Sequence, residues 1–269
     1  MQYYGIAPAS FNALVTFEKQ ILKSDNLCEL KVQFLRPYCI IFLDQLILTE
    51  KGVNFKIHST YCDANQYLKQ TGFKHLHKSA KCMEKDFPES DIIKLNKYIK
   101  KDFPLDEKVV KWIKSNIIKY IKTDGHLTKK ITENIYEIIN NGLVHGNNKN
   151  GISMAGQFYP LKNYFEIAFY DRGVGIPQLV KKEIKDLSLA NDVDYIEWAM
   201  RKGTSTNKLT KASGLGLHFL SNFIKQNKGY LQIISGNGYF CIDEFDNHTK
   251  ETIKNFIQGT IVNIRVNYN

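Results

Sequence analysis

The sequence predicts an α+β protein in which a sheet carries its helices on one face, preceded by a small α/β unit. Helix and strand patterns are mixed in the second half of the chain without alternating regularly, which disfavours a doubly wound parallel sheet. The last segments alternate as paired strands do. With 43% hydrophobic and 24% charged residues, the 269-residue chain can hold one large or two small domains.

The first part of the chain predicts the small α/β unit. CELKVQFL is typical of a strand, and Pro37 stands where proline is tolerated in the first turn of a helix. That helix is expected over Tyr38–Lys51, because Gly52 follows it. VNFKIHS predicts a second strand, and DANQYLKQTGF predicts a short helix that stops at Gly72.

A basic, polar stretch marks the expected domain boundary. The segment KHLHKSAKCMEKDFPES is strongly basic and polar. Pro88 and Pro104 would interrupt a helix or a strand in this part of the chain. The predicted division is a first unit over residues 1–86, a linker over 87–104 and a second domain over 105–269.

The second half predicts a defined order of elements. They are a long helix, an Asn-rich turn, a strand, a glycine turn, a basic helical segment, a second glycine turn into a helix, and a terminal hairpin. YLQIISGNGYF is typical of a hairpin arm that runs into a turn at Gly236, Asn237 and Gly238. GTIVNIRVN is expected to pair in the same sheet.

Composition narrows the classes of function. Lys and Arg number 37 against 27 Asp and Glu, and the net charge of +10 favours contact with anions such as nucleotides, nucleic acid or an acidic partner. No apolar run reaches the roughly 20 residues of a membrane helix, and the first residues lack the pattern of a signal peptide. The five cysteines contain no CxxC pair. We therefore expect a cytoplasmic protein with no membrane segment.

Three polar residues are spaced four apart in ITENIYEIINNGLVHG: Glu137, Asn141 and His145. On a helix this spacing turns each side chain only about 40° from the last, so all three share one face. A carboxylate and a carboxamide one turn apart suit a general base and a magnesium ligand, since magnesium prefers oxygen donors. A solvated polar stripe has the same spacing, so this pattern alone leaves both interpretations open.

Two glycine motifs follow. In DRGVGIP, Asp171 ends a predicted strand, and Gly173 and Gly175 allow the backbone to approach a flat ligand. In ASGLGLHFLSNFI, Gly214 and Gly216 stand at the entry to an amphipathic helix, where backbone N–H groups and the helix dipole attract phosphate. Neither motif is a Walker loop, and an ordinary turn would explain the first one alone.

The motifs together, in this order, resemble the nucleotide-binding boxes of the GHKL superfamily of ATPases and kinases. The matching segments are EIINNGLVHG, DRGVGIP and SGLGL, with Gly259 and Thr260 before the last strand. The resemblance covers the chain from roughly Leu105 onward. It implies the Bergerat fold, a two-layer α/β sandwich with a lid between the glycine boxes, and it implies ATP and magnesium as cofactors.

The resemblance also implies a role for each matching residue. Glu137 would activate the attacking water or an acceptor hydroxyl, and Asn141 would coordinate magnesium. Asp171 would accept a hydrogen bond from the adenine amino group, in a base pocket shaped by Gly173 and Gly175. The remaining expected nucleotide contacts are phosphate contacts at Gly214, Leu215 and Gly216, and an adenine-side contact at Thr260.

The expected lid, Gln178 to Ser213, is basic around the sequence GTSTN. Lys202 and Thr204 are candidates to close over the γ-phosphate, where fixed positive charge stabilises the transferring group. Solvated loop charge is the alternative for this cluster.

The first unit resembles, over about Cys28 to Phe73, the STAS-like modules found with bacterial GHKL proteins. The function expected first is a magnesium-dependent ATPase that couples its nucleotide state to a protein partner. The alternatives are a serine/threonine kinase acting on a STAS-like partner and a nucleotide-sensing adaptor that does not hydrolyse. Nucleic-acid binding rests on the charge balance alone, and a homodimer through the first unit is a further alternative.

Overall fold

The computed structural model describes residues 8–80, 88, 91–99, 106–121, 124–146, 148–185, 187–201 and 216–268. Helices and strands are mixed without regular alternation, so the predicted α+β class is confirmed. The described strands form a two-stranded parallel sheet and a five-stranded antiparallel sheet. The larger sheet positions the candidate site.

The amino-terminal part follows the predicted order of strand, helix, strand and helix, with one additional helix in front. Its elements are α1 (Pro8–Lys23), β1 (Leu27–Leu30), α2 (Pro37–Glu50), β2 (Lys56–Ser59) and α3 (Cys62–Gln70). The two strands pair in parallel, from Leu27 opposite Lys56. The first strand is shorter than CELKVQFL predicted, since its pairing with β2 ends at Leu30 opposite Ser59.

The five-stranded sheet contains β3 (Ile92–Tyr98), β4 (Ile152–Tyr159), β5 (Tyr164–Asp171), β6 (Tyr230–Ile242) and β7 (His248–Asn267). Its order is β3-β4-β5-β7-β6, and all neighbours are antiparallel. The prediction that GTIVNIRVN pairs in this sheet is confirmed, because it lies in β7 between β5 and β6. The stretch expected to be a linker, 87–104, instead contributes the edge strand β3, whose Ile92 and Ile93 are buried.

The predicted hairpin turn at Gly236, Asn237 and Gly238 is wrong. Strand β6 continues through these residues with shifts of register against β7, and the chain reverses at 243–247. The reason is a helix that lies against this point. The Asn237 backbone N–H donates to Asp192, and a Cβ at Gly238 would lie 2.7 Å from the Val193 nitrogen. The two glycines therefore make room for packing rather than for a turn.

The helices of the second half are α4 (Asp106–Asn116), α5 (Gly125–His145), α6 (Ile176–Glu183), α7 (Asp192–Met200) and α8 (Gly216–Gln226). The long predicted helix is α5. Asp124 caps its amino terminus, because the Asp124 carboxylate accepts the Leu127 backbone N–H at 2.6 Å and satisfies one of the free donors of the first turn.

The five-stranded sheet is covered on both faces, which corrects the expectation of helices on one face in two layers. On the face that we call the front, residues such as Phe169 pack with α4, α5, α7 and α8. On the other, the back face, Ala168 and Tyr170 pack with α1 and α2. Strand β5 is accordingly buried along its whole length.

Helix α2 is buried from Pro37 to Ile47, including two polar residues that interrupt its apolar run. Ser153 of β4 donates to Asp44 at 2.8 Å, and Gln45 donates to the Ser153 hydroxyl at 2.9 Å. Because buried polar groups need partners, these contacts fix α2 on the back face in one position.

Candidate functional site

A cavity lies between the front face of the sheet and helices α5 to α8. The empty space there is about 950 Å³, a volume that includes open solvent at its mouth. Seven residues singled out from the motifs line this one cavity: Glu137, Asn141, His145, Asp171, Gly175, Gly216 and Thr260. Residues separated by more than 120 positions in the chain therefore meet at one place.

Glu137, Asn141 and His145 lie on one face of α5, as their spacing predicts, and all three line the cavity. The Asn141 amide nitrogen donates to Glu137 Oε1 at 3.2 Å. This contact leaves the Asn141 amide oxygen available as a ligand. Burial is the main cause that lowers the pKa of His145, and the nearby Glu137 opposes it.

Asp171 is a buried acid beside the carboxyl end of α5, because a Cβ added at Gly146 would lie 2.6 Å from Asp171 Oδ1, whereas Glu137 lies more than two turns earlier on that helix. Its side-chain oxygen Oδ1 accepts the backbone N–H of Gly173 at 3.1 Å, and no other side chain neutralises it in the contacts described. Burial raises its pKa to about 7, and the backbone hydrogen bonds oppose this shift. A buried carboxylate with spare acceptor capacity is suited to a ligand that donates hydrogen bonds.

Strand pairing brings Thr260 to Asp171. The two residues are partners in the register of β5 and β7, so both point to the front face. Gly175 lines the cavity at the start of α6, with φ of +85°, a conformation that glycine adopts without strain. Gly173 does not line this cavity; it stabilises the Asp171 carboxylate through its backbone N–H.

Gly216 begins α8 and lies directly against Glu137. A Cβ added at Gly216 would be 2.0 Å from Glu137 Oε1 and 2.5 Å from its Cδ and Cγ atoms. Only a residue without a side chain can therefore stand here while Glu137 keeps its position. The other candidates for phosphate contact, Lys202, Thr204, Gly214 and Leu215, lie outside the described residues.

The walls of the cavity are mostly apolar, and sequence reasoning did not identify them. They include Ile138, Ile152, Phe169, Trp198 and Val262. A signal for two of them exists in the strand period: Phe169 and Val262 stand two residues from Asp171 and Thr260, on the same face of the sheet. Trp198 comes from α7, and no motif points to it.

Arg172, the residue after Asp171, connects the site to the back of the molecule. Its guanidinium group donates to Glu18 of α1 at 3.1 Å and to Glu50 of α2. The Arg172 side chain is 10% exposed. The cavity wall at Asp171 is therefore joined to the helices α1 and α2 through the next residue of the same turn, Arg172.

The described part of the chain contains no group of three or more His, Cys, Asp or Glu side chains that would hold a metal by itself. Among the same residues, no helix is both long enough and apolar enough to cross a membrane.

No protein-family model matches the chain, and no curated protein matches it. The function of the cavity is therefore inferred from its geometry and chemistry.

Proposed function

We propose that the cavity binds ATP and that the protein is a magnesium-dependent ATPase of the GHKL type. The observation that supports this most is the pairing of two different polar ends in one apolar cavity. Asp171 and Thr260 form one end, and Glu137 with Asn141 forms the other. A nucleotide has the matching halves, a flat base that donates hydrogen bonds and a charged phosphate chain.

The base would lie at Asp171, between the apolar walls. Phe169, Ile138 and Val262 offer the apolar surface that a purine ring needs. The ionised Asp171 carboxylate would accept a hydrogen bond from the amino group of adenine, and such a bond to a charged acceptor is stronger than a neutral one. Because that bond favours the charged form, ATP binding would lower the pKa of Asp171 from its value of about 7.

The reacting phosphate would lie near Glu137. The Glu137 carboxylate is held on one side by the Asn141 amide and lies against the first residue of α8 on the other. In that place it would take a proton from an attacking water molecule. A helix amino terminus attracts phosphate, so the start of α8 suits the same end of the cavity.

The donors present also fit a magnesium ion. The Asn141 amide oxygen would be its protein ligand, and magnesium fills its remaining positions with water and phosphate oxygens. This explains why a large cluster of acidic ligands is not required here. When bound, the ion would neutralise charge on the phosphates.

The amino-terminal unit would transmit the nucleotide state to a protein partner. Arg172 follows the base-binding Asp171 and holds Glu18 and Glu50, so a shift of this turn reaches α1 and α2 directly. Helix α2 is in turn fixed to β4 by Asp44 and Gln45.

The test is ATP binding by calorimetry with and without magnesium, followed by phosphate release on the same samples. The variants are Glu137→Ala and, as a matched control one turn earlier on α5, Glu133→Ala, whose side chain is 53% exposed. Glu137→Ala should keep ATP affinity and lose at least about a hundredfold in turnover, the contribution of a general base. Glu133→Ala should behave as the wild type.

The outcomes separate the alternatives. Binding without phosphate release in the wild type would reject the ATPase and favour a kinase of a STAS-like partner or a nucleotide sensor. Normal release by Glu137→Ala would reject Glu137 as the base. No ATP binding by the wild type would reject the nucleotide site as a whole.

A further inference from the structure

Ser235 lies behind the cavity wall, and nothing in the motifs points to it. It is fully buried on β6, opposite Thr260 in the register of β6 and β7. Its hydroxyl oxygen makes three contacts. Ser235 donates to the Gly259 carbonyl at 2.7 Å, accepts the Ile176 backbone N–H at 2.9 Å and lies 3.1 Å from the Thr260 hydroxyl.

These contacts fix the direction of the hydrogen bond between the two hydroxyl groups. A serine hydroxyl has one hydrogen, and the Gly259 carbonyl, which cannot donate, takes it. In the contact with Thr260, Ser235 can therefore only accept, so Thr260 must donate its own hydrogen to Ser235. The Thr260 hydroxyl then presents only lone pairs to the cavity that it lines.

The neighbouring polar group is an acceptor as well. The ionised Asp171 carboxylate has no hydrogen to donate, and the nearby Gly173 N–H is already directed at its Oδ1. The polar wall formed by Asp171 and Thr260 consequently accepts hydrogen bonds and donates none. A purine with an amino group at this place donates the hydrogen bond that the wall accepts. A purine with a carbonyl oxygen at the same place brings a second acceptor, so neither that oxygen nor the wall gains a hydrogen bond.

We infer that Ser235 is a positioning residue that sets the selectivity of the site for a 6-amino purine over a 6-oxo purine, by locking Thr260 as an acceptor. This inference rests on the proposed function and deepens it. Ser235 does not touch the base itself. It also holds the first backbone N–H of α6, so the same hydroxyl joins that helix to the wall that contacts the base.

The experiment compares the dissociation constants of ATP and inosine triphosphate at about pH 8, where Asp171 is ionised. The wild type should prefer ATP. In Ser235→Ala the Thr260 hydroxyl loses its acceptor and can rotate to donate a hydrogen bond into the cavity. The ratio of the two dissociation constants should therefore fall by about five- to tenfold, which corresponds to one neutral hydrogen bond. If the role of Ser235 were only structural, both nucleotides would weaken equally and the ratio would stay unchanged.

Two further variants keep the test decisive if Ser235→Ala does not fold. Thr260→Val removes the acceptor hydroxyl, while Ser235 keeps its contacts with Gly259 and Ile176. The binding of ATP should therefore weaken, and the binding of inosine triphosphate should not. An unchanged or wider preference in Thr260→Val would overturn the inference. Ser153→Ala is the matched control, because Ser153 is a fully buried serine of the same sheet that bonds to the back-face residues Asp44 and Gln45.

The failure of the inference can be told apart from the failure of the proposed function. ATP binding by the wild type together with the wild-type ratio in Ser235→Ala and Thr260→Val rejects the role of Ser235 alone. Absence of ATP binding by the wild type rejects both. A ratio that narrows in Ser153→Ala as strongly as in Ser235→Ala also rejects the inference, because it would show a general loss of sheet order.

Discussion

Burial of the Asp171 carboxyl group makes the stability of the protein depend on pH. Its pKa is raised from 3.8 to about 7 in the folded chain, so between these values the folded state holds one proton more than the unfolded state. Stability from this group is complete below the lower value and is lost as the pH rises through about 7. Ionisation of this buried carboxyl group therefore destabilises the folded protein at neutral and basic pH.

Asp171→Asn should remove this dependence. Between pH 5 and pH 8, ionisation of Asp171 should lower the free energy of unfolding of the wild type by about 2–3 kcal/mol, since one pKa unit corresponds to about 1.4 kcal/mol. The variant should not show this loss. It should also bind ATP more weakly, because Asn presents an amide where a carboxylate accepted. Urea unfolding at the two pH values and calorimetry measure the two effects.

The exposed Asp25 provides the control for this experiment. Asp25→Asn should keep the wild-type change in stability between the two pH values. If Asp171→Asn followed the wild-type profile too, the carboxyl group would titrate as in the unfolded chain, and the proposed buried base pocket would be wrong.

Some site residues follow from the sequence and others do not, for a definite reason. Glu137, Asn141 and Asp171 could be predicted because helical spacing and a strand end place them without knowledge of the fold. Ser235 could not be predicted, because its contact with Thr260 arises from the pairing of strands that places together two residues 25 positions apart. Arg172 stands inside a motif, but its partner helices come from the other end of the chain.

Between elements, the contact of α8 with α5 controls the position of Glu137. In Gly216→Ala the new methyl group would overlap the Glu137 side chain, which is flexible and can swing away. We expect stability to change by no more than about 1 kcal/mol, since alanine also favours a helix over glycine. Phosphate release should nevertheless fall at least about tenfold, because the displaced carboxylate no longer addresses the attacking water.

Gly125→Ala is the matched variant for this prediction. Gly125 also begins a helix, α5, but a Cβ there would meet no atom within 4 Å. Phosphate release should stay at the wild-type rate. Equal rates in Gly216→Ala and the wild type would show that the contact between the two helices does not position the base.

The elements themselves show what local patterns can and cannot predict. Helix α2 could be predicted from Pro37 and Gly52, because both act through the local backbone. The register shifts of β6 could not be predicted, because its glycines make room for α7, which comes from a distant segment of the chain. The cover on both faces had a signal in YFEIAFYD, whose nearly continuous apolar run is typical of a strand buried on both sides.

At the scale of the whole molecule, Arg172 joins the turn after Asp171 to the helices α1 and α2 through its contacts with Glu18 and Glu50. ATP binding should slow amide hydrogen exchange in α1 and α2, because a bound base would hold the turn that carries Arg172 and with it Glu18 and Glu50. Arg172→Gln should keep ATP binding and lose this distant protection. Hydrogen exchange followed by mass spectrometry, with and without ATP, measures both.

Lys182→Gln is the control for charge. Lys182 lies on the nearby helix α6, its side chain is 78% exposed, and its described ion pair is with the adjacent Glu183. Its loss should leave the ATP-dependent protection of α1 and α2 intact. Equal exchange in these helices with and without ATP in the wild type would rule out the proposed transmission.

The place of β7 in the sheet has a consequence for the order in which the chain is made. This strand lies between β5 and β6, yet it is the last of the five to leave the ribosome. Until then β5 and β6 lack the strand that pairs with both of them, and both Asp171 and Ser235 lack their shared neighbour Thr260. A nascent or truncated chain that stops before β7 therefore lacks the wall of the cavity that Thr260 and Val262 provide, and the proposed nucleotide site could form only once β7 has been made.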